Sequence, residues 1–206
     1  MVGRVSGAWM KRWALTGGLA CGKSVAAGFF AESGIPVWDA DVAAHALMAP
    51  GGGVYPAVVA RFGRSVLKED GSLDRKKLGA IVFSDRSALE DLNRLVHPAV
   101  LEEMERWFRS LSGEPSAALA VIPLLYEAGL DKGWDAVLAV VTPAERQWRW
   151  LLSRGLTPAE AKARLAAQWP EREKMSRADV VLFNGGSLDC LRAQVAAFLK
   201  QAGERK

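Results

Sequence analysis

The sequence predicts an α/β fold in three layers, with helices on both faces of a five-stranded parallel sheet. Three observations carry that expectation. Five short apolar or β-branched runs recur along the chain, at 13–16, 36–38, 117–122, 136–142 and 179–183. Segments of helical periodicity separate them, and such alternation builds parallel sheets because each crossover returns through a helix. The first run leads straight into Gly17-Gly18-Leu19-Ala20-Cys21-Gly22-Lys23-Ser24, the G-x-x-x-x-G-K-[ST] phosphate-binding pattern. Apolar residues at helical spacing then run from Val25 to Glu32 and stop at Ser33-Gly34. Strand, glycine loop and helix stand in the order that phosphate binding requires.

The loop defines the class of ligand. Gly17 and Gly22 let the backbone turn tightly, so that successive N–H groups converge on a di- or triphosphate at a helix N-terminus. Lys23 has the reach for the β- and γ-phosphates, and the Ser24 hydroxyl is a ligand for Mg²⁺. Composition narrows the remaining classes. At 206 residues the chain accommodates one α/β domain with a smaller insertion. A net charge of +4 suits a polyanionic small molecule, and equally an ordinary solvated surface. No Lys/Arg-rich run marks a nucleic-acid tail.

The longest apolar stretch, 117–125, is too short to span a bilayer and contains Pro123. No apolar segment with a cleavage site reads as a secretory signal. Cys21 and Cys190 have neither C-x-x-C spacing nor a His partner, so neither a zinc site nor a disulfide framework is indicated. A reducing cytoplasm is the expected compartment. Residues 1–9 read as a loose leader, with Met1 and Met10 both candidate starts, and residues 201–206 as a frayed end.

Sites in open parallel sheets lie beyond the carboxyl ends of the strands, where the informative residues cluster. Asp39-Ala40-Asp41 follows the second run, Pro123-Leu124-Leu125-Tyr126-Glu127 the third, and Asn184-Gly185-Gly186 the fifth. The gap between the second and third runs exceeds a normal crossover. Helical patterns fill it at 42–48, 54–62, 75–82 and 87–111, with Pro98, after His97, breaking or kinking the last. Residues 42–112 therefore read as a helical insertion suited to hold an acceptor. Thr142-Pro143-Ala144-Glu145 and Thr157-Pro158-Ala159-Glu160 read as capping boxes with proline at the first helical position. They open helices at 143–153 and 158–169. Arg146 and Arg149 share a face of the first, and Arg164 and Gln168 stand four apart on the second. This arginine-bearing hairpin reads as a lid covering 143–177.

With these pieces together, the chain from about residue 13 to 199 resembles the dephospho-CoA kinase family of P-loop enzymes. The resemblance runs in order through Leu15-Thr16-Gly17-Gly18 with Gly22-Lys23-Ser24, Asp39-Ala40-Asp41, Phe62-Gly63 and Asp70-Gly71-Ser72-Leu73-Asp74-Arg75. It continues through His97-Pro98, Pro123 to Glu127, Ala166-Ala167-Gln168, Ala178-Asp179 and Asn184-Gly185-Gly186. It implies ATP-dependent phosphorylation of the ribose 3′-hydroxyl of dephospho-CoA, the last step of CoA biosynthesis, with ATP and Mg²⁺. It also implies a single kinase unit, 10–206, with nucleotide core, acceptor domain and lid.

Residue roles follow from the same resemblance. Asp41 is the implied general base, Arg149 the lid arginine that stabilises charge on the transferring group, and Lys23 the third catalytic residue, reaching the β- and γ-phosphates. Gly18, Ala20, Cys21, Gly22, Lys23, Ser24, Val25, Arg146, Asn184 and Gly185 are expected around ATP. Asp39, Asp41, His45, His97, Leu125 and Glu127 are expected around the acceptor, with Ser24 on the metal. Local readings stay open beside these. A helix N-cap accounts equally for Asp41 or Asp39, and His97 either binds the acceptor or caps a kinked helix. Glu127 either contacts the acceptor or orients Mg²⁺ through water, and it needs a partner if buried.

Three positions depart from the family pattern. Ala20 replaces a usual glycine, which matters where φ is positive. Val25 replaces a common threonine, and His45 a usual arginine. A neutral imidazole holds phosphate less well than a guanidinium fork. The expected partner is a small molecule, with no nucleic acid, no membrane, and a monomer or weak homo-oligomer. The nearest alternative is another nucleoside or nucleotide kinase. A GTPase-type switch lacks its Asn-Lys-x-Asp signature here.

Overall fold

The computed structural model describes residues 10–111 and 115–204; the leader read at 1–9 and the last two residues lie outside the described residues. Five strands form one parallel sheet in the order β2-β3-β1-β4-β5. They are β1 (Lys11–Gly17), β2 (Val37–Asp39), β3 (Ala117–Val121), β4 (Ala136–Val141) and β5 (Val180–Phe183). The central strand is β1, paired with β3 from Lys11↔Ala117 to Leu15↔Val121 and with β4 from Trp13↔Ala136 to Gly17↔Val140. Its carboxyl end carries the glycine loop.

The period-2 alternation of the strands sorts large and small side chains onto opposite faces. Trp13, Leu15, Leu119, Leu138, Val140 and Leu182 share one apolar cluster with residues of α1 (Lys23–Glu32) and α9 (Leu188–Glu204). Three rings knit this side: Trp13 meets Phe198 edge-on at 4.8 Å, and Phe30 meets Phe198 at 5.9 Å. The intervening positions are alanines, Ala14, Ala118, Ala120 and Ala139, all without accessible surface. The edge strand β5 is covered by Gln194 of α9, which accepts from Phe183 N–H at 2.8 Å and donates to Phe183 O at 2.9 Å. An edge so occupied cannot pair with another chain there.

Residues Asp39–Ser110 separate as a second compact unit. It holds α2 (Ala40–Leu47), α3 (Tyr55–Phe62), α4 (Arg75–Ser84) and α5 (Arg86–Ser110). Its own core contains Val54, Val58, Val66, Leu73, Leu78 and Val82. Two aspartates start its helices by accepting otherwise orphaned amides. Asp39 caps α2 through Asp41 N–H at 2.8 Å, and Asp74 caps α4 through Lys76 N–H at 3.0 Å. The cap of α2 is therefore Asp39, leaving Asp41 in the first helical turn. The 25-residue α5 runs through Pro98, so of the expected break or kink the break does not occur. One ladder bond is lost there, but Val96, Met104 and Phe108 stay buried along the helix and outweigh it.

After β4 come α6 (Ala144–Ser153), α7 (Pro158–Ala166) and α8 (Glu171–Arg177). The Thr157–Glu160 capping box is present, with Thr157 N–H donating to Glu160 at 2.9 Å. The expected box at Thr142 is not formed. Pro143 is the cap residue of α6, one position later than expected, and Thr142 is buried with its hydroxyl donating across the sheet end to Asn184 O at 2.8 Å. The second hairpin helix stops at Ala166 rather than 169, and residues 201–204 belong to α9 rather than a frayed end. Among the described residues no helix is long and apolar enough to cross a membrane.

Phe198→Ala removes the ring shared by β1, α1 and α9. It is expected to lower unfolding stability by about 3–5 kcal/mol. Urea denaturation followed by tryptophan emission measures it, and a loss below about 1 kcal/mol would contradict the packing described.

Candidate active site

The phosphate loop leaves β1 at Gly17, whose φ of +146° no other residue adopts readily, and enters α1 at Gly22, φ +95°. Space as well as dihedral excludes a side chain at both. A Cβ on Gly17 would lie 2.3 Å from Val140 O, and one on Gly22 would lie 2.1 Å from Asn184 Nδ2. The second approach is a working contact: Asn184 is buried and donates Nδ2–H to Cys21 O at 2.9 Å. Asn184 thus braces the loop with its side chain while its carbonyl takes Thr142 and Arg146.

Ala20 is the one non-glycine among the described residues with positive φ, at +58°. An L-residue there costs about 1–2 kcal/mol. Its methyl is buried with Leu151 and Ala161 of α6 and α7, so packing recovers part of that cost. The loop is further tied to the hairpin through Leu19. Leu19 O accepts Gln147 Nε2–H at 2.8 Å, and Leu19 N–H donates to Gln168 Oε1 at 3.0 Å. Gln168 is therefore bound to the loop and not a surface glutamine.

Lys23 Nζ donates to Gly17 O and Gly18 O at 3.0 and 2.9 Å, a folded-back posture beneath the loop. Ser24 and Val25 open α1 and are exposed. Cys21 has no accessible surface, and its thiol donates to Glu171 Oε1 at 3.0 Å. Burial, and then the Glu171 carboxylate, push its pKa up to about 12. Such a thiol fills space and bonds locally; it is not a nucleophile.

Beside the loop, a cavity of about 580 Å³ is lined by Arg146, Arg149, Trp150, Asn184, Ser187 and Leu188. Arg146 is held there, donating to Gly186 O at 2.8 Å with its guanidinium 5.6 Å over the Trp150 ring. The expected grouping of Arg146, Arg149 and the Asn184 turn is thus a spatial one. Gly185 lies against the exposed Phe183 ring, which a Cβ would meet at 2.2 Å.

The segment after β3 is placed differently from expectation. Leu125 has no accessible surface and packs inside, so it presents nothing to a ligand. Glu127 has its partner within the fold. Its Oε1 accepts Lys174 Nζ at 2.7 Å and Trp169 N–H at 2.8 Å. Lys174 is fully buried and donates also to Pro123 O at 3.0 Å. Trp169 lies between the Tyr126 ring, stacked at 6.0 Å, and the Arg177 guanidinium at 4.6 Å. This fastens α8 to the strand end. Lys174 and Glu171 escaped the reading of the sequence, although Pro170 followed by Glu171 and Glu173 is a helix-start signal.

In the second unit, Asp41 and His45 are exposed on α2, and Asp39 is half-buried at the end of β2. His97 is half-buried, and burial lowers its pKa, so the imidazole is neutral near pH 7. No cluster of His, Cys, Asp or Glu able to hold a metal ion exists among the described residues. The exposed Ser24 hydroxyl at the start of α1 is an oxygen donor of the kind Mg²⁺ takes alongside phosphates and water.

A glycine loop on the central strand of a parallel sheet, with lysine and serine at the following helix and arginines on a hairpin beside it, defines a P-loop kinase. The sequence model of the dephospho-CoA kinase family matches residues 13–189, and the chain belongs to that family. A dephospho-CoA kinase of Geobacillus kaustophilus is 46% identical over 190 residues, covering 91% of this chain and 94% of the relative. The solved dephospho-CoA kinase of Campylobacter jejuni superposes with a TM-score of 0.69 at 27% identity, over 95% of this chain and 98% of that one. A shikimate kinase of Acinetobacter baumannii shares the fold, at TM-score 0.56 and 15% identity, over 96% of this chain and 95% of that one.

Lys174→Ala leaves the buried Glu127 carboxylate without its cation and is expected to cost about 3–5 kcal/mol in stability. Pairing it with Glu127→Gln should return a large part of that loss in thermal unfolding; additive losses would dismiss the pair. Native protein at pH 8 should expose one fast thiol to a disulfide reagent, Cys190, and two after denaturation. Two fast thiols in the native state would contradict the burial of Cys21.

Proposed function

We propose that this chain transfers the γ-phosphoryl group of ATP to the ribose 3′-hydroxyl of dephospho-CoA, giving CoA and ADP. The family supports the reaction; the observation that carries the site is the braced loop, whose glycines and Asn184 hold the backbone in a tight turn at the start of α1. Phosphoryl transfer depends chiefly on positioning and charge neutralisation. Lys23 leaves its carbonyls on the loop to meet the β- and γ-phosphates. Arg149 neutralises charge on the transferring group, while Arg146, anchored on Gly186 O, frames the nucleotide cavity. Asn184-Gly185 form the turn against which the base rests.

Asp41 accepts the proton of the 3′-hydroxyl as its oxygen attacks phosphorus. Its place in the chain supports this: β2 ends at Asp39, whose carboxylate caps α2, and Asp41 stands exposed in the first turn of that helix. Ser24 would hold Mg²⁺, which would supply charge neutralisation on the phosphate oxygens. The hairpin α6–α7 acts as the lid, and its closure excludes water that would otherwise hydrolyse ATP. Residues 39–110 hold the acceptor, with His45 and His97 on helices of that unit.

Incubation with Mg·ATP and dephospho-CoA, following ADP release and CoA formation, tests the reading. Asp41→Asn is expected to lower kcat about a hundredfold or more with ATP affinity unchanged. Transfer to simple nucleosides but not to dephospho-CoA would overturn the acceptor, and equal loss of ATP binding in Asp41→Asn would overturn the role of Asp41.

A further inference from the structure

The second unit contains a cavity of about 430 Å³ between the end of α2 and the start of α4. Three cationic side chains line it, Lys68, Arg75 and Lys76, together with the His45 imidazole and an apolar wall that includes Leu73. The single carboxylate among its lining residues, Asp74, is already engaged. Its Oδ1 accepts the N–H groups of Lys76 and Lys77 at 3.0 and 3.1 Å, and Oδ2 stands 3.9 Å from Lys77 Nζ. The cavity therefore carries unbalanced positive charge beside an apolar surface, the combination that suits an organic phosphate.

Arg75 is distinguished from the two lysines by being held. Its Nη1 lies 3.0 Å from His45 Nδ1, and no carboxylate within ion-pair distance of it exists among the described residues. A guanidinium can only donate, so the bond requires an unprotonated Nδ1 on His45. Partial burial, and then the charge of Arg75, lower the His45 pKa and keep that nitrogen free, with Asp41 and Asp39 opposing. One of five donors is spent on the imidazole, and the planar fork keeps the others for a bidentate anion.

We infer that Arg75, oriented by His45, is the residue of this cavity that binds the diphosphate of the acceptor. His45 is then a positioning residue: the imidazole does not grip phosphate itself, and it steers a guanidinium supplied from α4. This explains how a histidine can stand where a guanidinium is expected without emptying the site of one. The inference rests on dephospho-CoA being the acceptor, whose diphosphate is fully ionised at neutral pH.

Steady-state kinetics with dephospho-CoA tests it. Arg75→Ala is expected to raise KM for dephospho-CoA about tenfold or more, since a hydrogen bond between charged groups is lost. The KM for ATP should stay within about twofold and kcat within about threefold of the unaltered protein. Arg75→Lys keeps the charge without the fork and should raise KM about threefold to fivefold; it carries the test should the alanine variant misfold. His45→Leu should raise KM several-fold, whereas His45→Asn, which retains an acceptor atom near Nδ1, should restore it to within about twofold. An unchanged KM in both Arg75 variants, or a loss confined to kcat, overturns the assignment. If the unaltered protein itself fails to phosphorylate dephospho-CoA, the functional reading falls first; unaltered turnover with an unresponsive Arg75 defeats this inference alone.

Discussion

Between the end of β1 and the start of α1 the backbone must reverse while keeping its amides turned toward a ligand, and the rest of the nucleotide half is organised around holding that reversal. Gly22 accepts a left-handed conformation directly beneath the Asn184 amide, which binds Cys21 O. Asn184 is fixed in turn by Thr142 and by Val141 O on the neighbouring strand. A loop braced in this way loses little freedom when phosphate arrives, so less binding energy is consumed in ordering it.

The same loop is coupled to the hairpin that flanks it. Ala20, strained at φ +58°, turns its methyl into the small apolar cluster with Leu151 and Ala161. The peptide groups of Leu19 are held by glutamines from both sides of the hairpin. Movement of α6 and α7 therefore cannot be independent of the phosphate loop. Arg146 and Arg149 ride on α6, which links their placement to the same contacts.

Buried polar chemistry in this half serves architecture more than reaction. Glu127 Oε1 holds Lys174 and ties α8 to the end of β3, with Glu127 Oε2 buried and unpartnered among the described residues, while Glu171 takes the Cys21 thiol and the Thr142 amide. A carboxylate following an apolar strand invites a catalytic reading, yet here its Oε1 already has two donors. In the second unit the corresponding economy is Asp39 and Asp74, both engaged as helix caps.

Local chemistry was enough to locate the strands to within a residue or two, the glycine loop and most helices, because strand alternation, glycine spacing and capping residues act over a few neighbouring positions. The Thr157 box formed for that reason, since nothing distant competes for its hydroxyl. Thr142 carried the same local pattern and formed no box, because α6 starts at Ala144 with Pro143 in the cap position and folding set Thr142 at the sheet end against Asn184 O. Only the tertiary structure could decide that, as it could the burial of Leu125, the partner of Glu127 and the bond between His45 and Arg75. Each joins residues far apart in the chain, and such pairings depend on how helices pack, which no short-range pattern encodes.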